Sequence, residues 1–313
     1  MRNVIARIVA AVVIVVVIAT SAGYAADRLL EKKLDSLFVI ASSGEVRYRD
    51  MNEPAMDSIA AYGVDAVGFL IEKFHTRSAR KRWTVIWTLQ RIGSPAVPDL
   101  VQALGRPEET IVQRVCWALG DIKDTAAVMP LVGVAGHESW QVRDQAVTAL
   151  GQIGDDRGAE AVVAAFADTI GQVRKSAVVA CRKLELPGHE RELIHMLGDE
   201  FYGARLAAFE ALLSMDTTFI VNVLHDSLNS SNRFVAYLGC DLLGRFGGDQ
   251  ALTLLFEQTH LPDSELRAHA AVAIITADPK DLCSFHERLL ASETDYLTRL
   301  KIESALQSST AGE

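Results

Sequence analysis

The stretch Gln141-Val142-Arg143-Asp144-Gln145-Ala146-Val147-Thr148-Ala149-Leu150-Gly151-Gln152-Ile153-Gly154-Asp155 decides how this chain folds. Val142, Ala146, Ala149, Leu150 and Ile153 recur at the 3.6-residue period of an α-helix and share one face. Gly154-Asp155-Asp156 breaks that helix, and Ala159, Val162, Val163 and Phe166 mark the inward side of a second one. The phrase Ala149 to Gly154 returns in degraded form. Its second residue, the key position, falls at Leu89, Leu119, Leu150, Cys181, Leu212, Leu243 and Ile274, with a first step of 30 residues and then steps of 31. Ile59 adds a copy in front and Leu306 a partial one behind. The second helix repeats as Ala127, Val128, Leu131, Val132 and Ala135, and again as Leu193, Ile194 and Leu197.

Neither helix of such a pair covers its own apolar stripe, so neighbouring pairs must stack to build a continuous core. The expected fold is therefore all-α: an α-solenoid of about eight stacked two-helix repeats over residues 56–306, with a hydrophobic helix at the N-terminus. Gly120, Gly151 and Gly244 each follow a key position and would allow close helix contact. Of 313 residues, 50% are hydrophobic but only 7% aromatic, a mix that favours helices packed through small side chains over a sandwich or barrel. The repeat leaves no room for a separate catalytic domain.

The pattern x-V-R-x-x-A-x-x-A-L-G-x-I-G-D at Gln141 to Asp155 resembles the HEAT-like repeats of the phycobilisome-lyase type. The resemblance covers about residues 56–306, is best at 112–182, and loosens in the later copies. It implies an α-solenoid, commonly a scaffold for protein contacts. Some relatives are enzymes, so a bilin lyase or a deoxyhypusine-hydroxylase-like enzyme is the alternative. Those hydroxylases place His-Glu pairs at matching repeat positions, where they converge on two irons. Here His137-Glu138, His189-Glu190 and His286-Glu287 fall 18, 8 and 12 residues after their key positions, so they point in different directions. Ligands of one ion must meet within about 2 Å of it, which these phases do not allow. His195 and His225 sit on the solvent side of neighbouring second helices, two candidate ligands without a third. Cys116, Cys181, Cys240 and Cys283 have no CxxC spacing and read as small core residues. No catalytic residue, cofactor or metal is expected.

The N-terminus carries an address. Ile8 to Ala19 is an unbroken apolar run of 12 residues preceded by Arg2 and Arg7. Extended to Ala26, it would span about 28 Å as a helix, close to the hydrocarbon thickness of a bilayer. Residues 1–26 read as a signal-anchor, or as a signal peptide cleaved after Ala25. Leu29, Leu30, Leu34, Leu37 and Phe38 continue an apolar stripe, so residues 27–55 read as a juxtamembrane helix and cap, and 307–313 as a disordered tail. The short basic N-terminal tail places the body outside the cytoplasm, either membrane-anchored through residues 8–26 or released after cleavage. A net charge of −9 excludes a nucleic-acid binder, which needs a basic face.

Two features remain for a protein partner. An arginine stands seven residues before the key position as Arg82, Arg143, Arg174, Arg205, Arg267 and Arg299. These arginines read as structural, pairing with acidic loop residues such as Asp168 and Asp199 or with exposed carbonyls to set the register between repeats. Trp87 and Trp117 lie two residues before their key positions, with Trp83 one turn ahead of Trp87, so the three share an outward patch unless residues 27–55 fold over it. On the second helices, Met129, Gly133, Ala164 and His195 line an inner groove, whose small apolar end Met129, Gly133 and Ala164 suits a partner helix.

Overall fold

The computed structural model describes residues 27–277, 290–291 and 293–310, all helical or loop with no strand among them. The chain divides into two compact units between Val134 and Ala135. The first contains α1 (27–41), α2 (Asn52–Ala60), α3 (Val67–Glu72), α4 (Ala79–Ile92), α5 (Val97–Ala103), α6 (Glu109–Ile122) and α7 (Val128–Val134). The second contains α8 (Trp140–Ile153), α9 (Ala159–Ala164), α10 (Gly171–Lys183), α11 (Glu190–Met196), α12 (Tyr202–Leu213), α13 (Thr217–Ser227), α14 (Arg233–Phe246), α15 (Gly248–Gln258), α16 (Ser264–Ala277) and α17 (Tyr296–Thr310).

Within each unit the helices pair and the pairs stack. In the first, α2 packs on α4 and α4 on α6, while α3 packs on α5. In the second, α8, α10, α12, α14, α16 and α17 each pack on the next, with α11 on α13 and α13 on α15. This is an α-solenoid, and the core forms where the repeat places it. Ile59, Leu89, Leu119, Leu150, Cys181, Leu212, Leu243 and Ile274 are all buried. The last copy shifts by one turn, since Ile302 fills the core and Leu306 only packs against it.

The local chemistry follows the motif. Gly93, Gly154 and Gly247 end α4, α8 and α14 with φ of 72°, 77° and 65°, a left-handed region glycine enters without a Cβ clash. After Gly154, the Asp155 carboxylate accepts from the Arg157 backbone N–H and opens the turn into α9. The second helices α3, α5, α7, α9 and α11 are one to two turns long, and α9 is continued by a 3-10 turn at Ala165–Ala167. Gly151 is required for close packing: a Cβ there would lie 2.6 Å from Ala180 Cα on α10. Gly244 meets Ala273 of α16 in the same way, 2.7 Å from its carbonyl oxygen.

Residues 27–55 cap the first unit. Leu34, Phe38 and Ala41 of α1 are buried, and Phe38 meets Phe69 of α3 edge-on at 6.0 Å. Asn52 Nδ2 donates to the carbonyls of Ile40, Ala41 and Ser43, so it satisfies the C-terminal end of α1. Leu29 is 70% exposed and does not belong to the stripe, because the buried face of α1 starts a turn later. At the other end, α17 runs to Thr310, so the tail expected from residue 307 is helical for four more residues. No proline or glycine interrupts it before Gly312. Residues 8–26 lie outside the described residues; among those described, no single helix is long and apolar enough to cross a membrane.

The arginines form the expected ladder in the second unit. Arg143 Nε and Nη2 donate to both oxygens of Asp168 at 2.6 and 2.8 Å, and Nη1 donates to the carbonyls of His137 and Glu138. Arg174 grips Asp199 at 2.6 and 2.7 Å, and its Nη1 donates to the Asp168 carbonyl. Arg267 grips Glu293 the same way, at 2.8 Å to each oxygen. Each carboxylate also accepts a backbone N–H two residues on, from Ile170, Phe201 and Asp295. One acid thus caps its own loop and holds the arginine of the preceding repeat. In the first unit Arg82 follows only half of the pattern, donating to the Arg77 carbonyl.

Two measurements test this packing and pairing. Gly151→Ala costs about 1–3 kcal/mol through overpacking against α10, whereas Gly133→Ala, where a Cβ meets nothing within 4 Å, gains up to about 0.5–1 kcal/mol of helix propensity. Urea unfolding midpoints separate the two. The side chain of Glu293 is only 2% exposed, and the hydrogen bonds from Arg267 hold its carboxyl at about 2 instead of 4.5. A depressed carboxylate adds stability that is complete above its unfolded-state value and is lost as pH falls through the folded one. The stability gap between wild type and Glu293→Gln is therefore widest at neutral pH and closes between 4.5 and about 2; a gap independent of pH contradicts it.

Candidate protein-binding surfaces

The tryptophan patch forms within the first unit. Trp83 and Trp87 lie one turn apart on α4, with ring centroids 5.5 Å apart. Trp117 on α6 meets Trp83 edge-on at 4.5 Å, a favourable arrangement for aromatic quadrupoles. Trp83 and Trp87 remain 42% and 43% exposed, so residues 27–55 do not bury them. The reason lies in α2, which approaches only the rim. Arg91 beside Trp87 donates to Glu53 and, at 2.8 Å, to Asp57, tying α2 to α4 without covering the rings. Burial pushes the carboxyl of Asp121 up, and the neighbouring Trp117 side chain opposes that shift only in part.

The other flank of the patch is basic. α4 opens with Arg80, Lys81 and Arg82 immediately before Trp83. Arg114 of α6 donates to the Thr76 carbonyl at 2.9 Å and has its pKa lowered, first by burial and then by the charge of Arg82. Aromatic rings and cations together suit an apolar, acidic partner surface.

The inner-groove residues divide between the two units. Met129 and Gly133 belong to the first unit, Ala164 and His195 to the second. Met129 is 56% exposed. Ala164 and His195 line one shallow depression of about 500 Å³ with Val163, Phe166, Arg191 and Met196. His225 lies beside Asp226 at 3.5 Å. Among the described residues no three His, Cys, Asp or Glu side chains are grouped to hold a metal ion. His137 Nδ1 accepts from the Ser139 N–H, and His189 Nδ1 lies 3.8 Å from Glu192. His286-Glu287 and Cys283 fall outside the described residues. Cys116, Cys181 and Cys240 are buried free thiols, and burial pushes Cys116 up to about 12 and Cys181 to about 11. Thiols so far above neutral pH are poor nucleophiles.

A surface that the sequence reading missed lies in the second unit. Tyr202, Leu206 and Phe209 of α12 and Phe234 and Tyr237 of α14 line a depression of about 440 Å³ that also touches His269 of α16. Tyr237 and His269 stack at 4.8 Å, and Asp241 lies 3.0 Å from His269 Nδ1. Leu206 and Tyr237 stand six residues before their key positions, the place Trp83 holds in its own repeat. That shared register was the available signal.

A family model described as HEAT repeats matches residues 97–182. No curated protein matches the chain. Among solved structures, importin β is 13% identical with a TM-score of 0.55, over 91% of this chain and 47% of that one. Kap95 in its complex with Nup1 is 14% identical with a TM-score of 0.53, over 89% of this chain and 47% of that one. YibA of Escherichia coli is 18% identical with a TM-score of 0.50, over 85% of this chain and 98% of that one. At these identities the likeness is one of fold.

Proposed function

We propose that this α-solenoid, in which residues 97–182 match a HEAT-repeat model, is a scaffold that binds another protein and performs no chemistry of its own. The observation that carries this reading is the cluster of exposed Trp83 and Trp87 against half-buried Trp117, with its basic flank. Tryptophan and arginine dominate the energetics of protein interfaces, and clustered aromatic rings left in water usually mark one. A surface held by packed helices loses little conformational entropy on binding, so most of the buried area can count toward affinity. Kap95, of similar fold, is found in complex with Nup1.

In this reading residues 8–26 hold the scaffold at a membrane, with the body outside the cytoplasm. The support is the apolar run from Ile8 to Ala19 behind Arg2 and Arg7. Cleavage after Ala25 would instead release the body on the same side. The scaffold then acts by position: it keeps a partner within reach of the bilayer.

Cross-linking in the native membrane tests the proposal. The double variant Trp83→Ser, Trp87→Ser loses the principal cross-linked partner, while its unfolding free energy drops by only the about 1–2 kcal/mol that two half-exposed rings contribute. Gly133→Glu, which adds a charge on a second helix without a clash, keeps the partner. A partner retained by the double variant but lost in Gly133→Glu moves the site to the second-helix side.

A further inference from the structure

Two rungs of the second unit depart from the pattern: the Leu243 repeat has Ala236 in place of the arginine, and Arg205 has no acid at the matching position. Asp168 and Asp199 stand 25 residues after Arg143 and Arg174, and Glu293 stands 26 after Arg267. Twenty-five residues after Arg205 the chain has Ser230. Arg205 is otherwise held like the rest, with Nη1 donating to the carbonyls of Asp199 at 2.7 Å and Glu200 at 3.3 Å. Ser230 fills half of the acid's role, because its Oγ accepts the Asn232 backbone N–H as Asp168 accepts that of Ile170. The other half is left unfilled. The Nε and Nη2 edge, which grips a carboxylate on the neighbouring rungs, has none among the described residues.

That edge stands beside the aromatic depression of α12 and α14. The Arg205 guanidinium lies over the Phe234 ring at 4.4 Å and near Tyr202 at 5.5 Å, so the aromatic rings hold it in place together with the two carbonyls. Arg245 lies over Phe209 at 5.6 Å across the same depression. Asp241, the acid on this wall, is engaged by His269. The site thus offers an oriented two-donor fork next to an apolar bed, on a chain that is acidic overall.

We propose that Arg205 completes its rung with a carboxylate supplied by a partner protein: an Asp or Glu side chain of an extended segment, whose adjacent apolar side chain lies between Phe209, Phe234 and Tyr237. Fork-to-carboxylate geometry is the strongest and most directional hydrogen bonding available to a side chain, and here the donor needs no reorganisation. A lone anion would satisfy the fork but leave the aromatic bed in water, which favours a peptide over a small ion. This surface does not depend on the tryptophan patch.

Ser230→Asp supplies the test. It restores the rung within the chain, keeps the cap on Asn232, and occupies the fork. Purified full-length protein is used to select from a random dodecapeptide library, and the enriched peptides are titrated against wild type, Ser230→Asp, Arg205→Lys, and Trp83→Ser with Trp87→Ser. The expected result is enrichment of peptides with an acid beside an apolar residue, bound about tenfold or more weakly by Ser230→Asp and Arg205→Lys. The tryptophan variant binds them like wild type, so the two surfaces stand or fall separately. Ser230→Asp should also unfold at higher urea than wild type. Peptides bound equally by wild type and Ser230→Asp overturn the proposal, as does enrichment without acidic residues. A Ser230→Asp variant no more stable than wild type shows that the fork is not positioned as on the other rungs, and overturns it too.

Discussion

The apolar stripe of each helix is wider than its own pair can cover, and everything else in this molecule follows from that deficit. A repeat of two helices becomes stable only when the next repeat lies against it, so the first helices must approach closely and in a fixed register. Gly151 and Gly244 provide the approach, since a single Cβ at either would reach into the backbone of the following first helix. The arginine ladder provides the register. Each rung joins the start of a first helix to the loop before the next one, and does so through a bidentate pair that tolerates little sliding.

Because these two devices recur along the chain, much of the fold was legible in the sequence. The step of 30 or 31 residues located buried positions from Ile59 to Ile274, and the recurring arginine predicted pairs that the structure contains, Arg143 with Asp168 and Arg174 with Asp199. The division at Val134 was not legible: the step from Leu119 to Leu150 is the same 31 residues as its neighbours. Periodicity reports the spacing of core residues along the chain, and says nothing of how strongly one repeat grips the next. The ends failed for a related reason. Leu29 matches a helical stripe on paper, but no repeat lies where that side chain points.

The surfaces were legible only where composition marked them. Three tryptophans in two adjacent repeats, two of them in one register and the third a turn away, are rare enough to notice, and their clustering follows from spacing alone. The α12–α14 surface uses Tyr202, Leu206, Phe234 and Tyr237, residue types that are ordinary one at a time. Its distinguishing residue is Ser230, and a serine in a polar loop attracts no attention. It acquires meaning only once the structure shows that the equivalent loop position elsewhere holds the arginine of the preceding repeat.

Both surfaces lie on first helices, where helix length and aromatic composition coincide. α4, α6, α8, α14 and α16 each have 14 residues, or roughly 21 Å of axis. After the inner stripe is buried, such a helix still has outward positions four residues apart, enough to line up Trp83 with Trp87 and, on the 12-residue α12, Tyr202 with Leu206. α9 has six residues and α11 seven. Their outward side chains are Glu160 and Ala164 on α9 and Arg191, Glu192 and His195 on α11, none of them aromatic. α13 and α15, at 11 residues each, have the length for such a row as well, so it is the aromatic composition of the first helices, added to their length, that places both surfaces on their side.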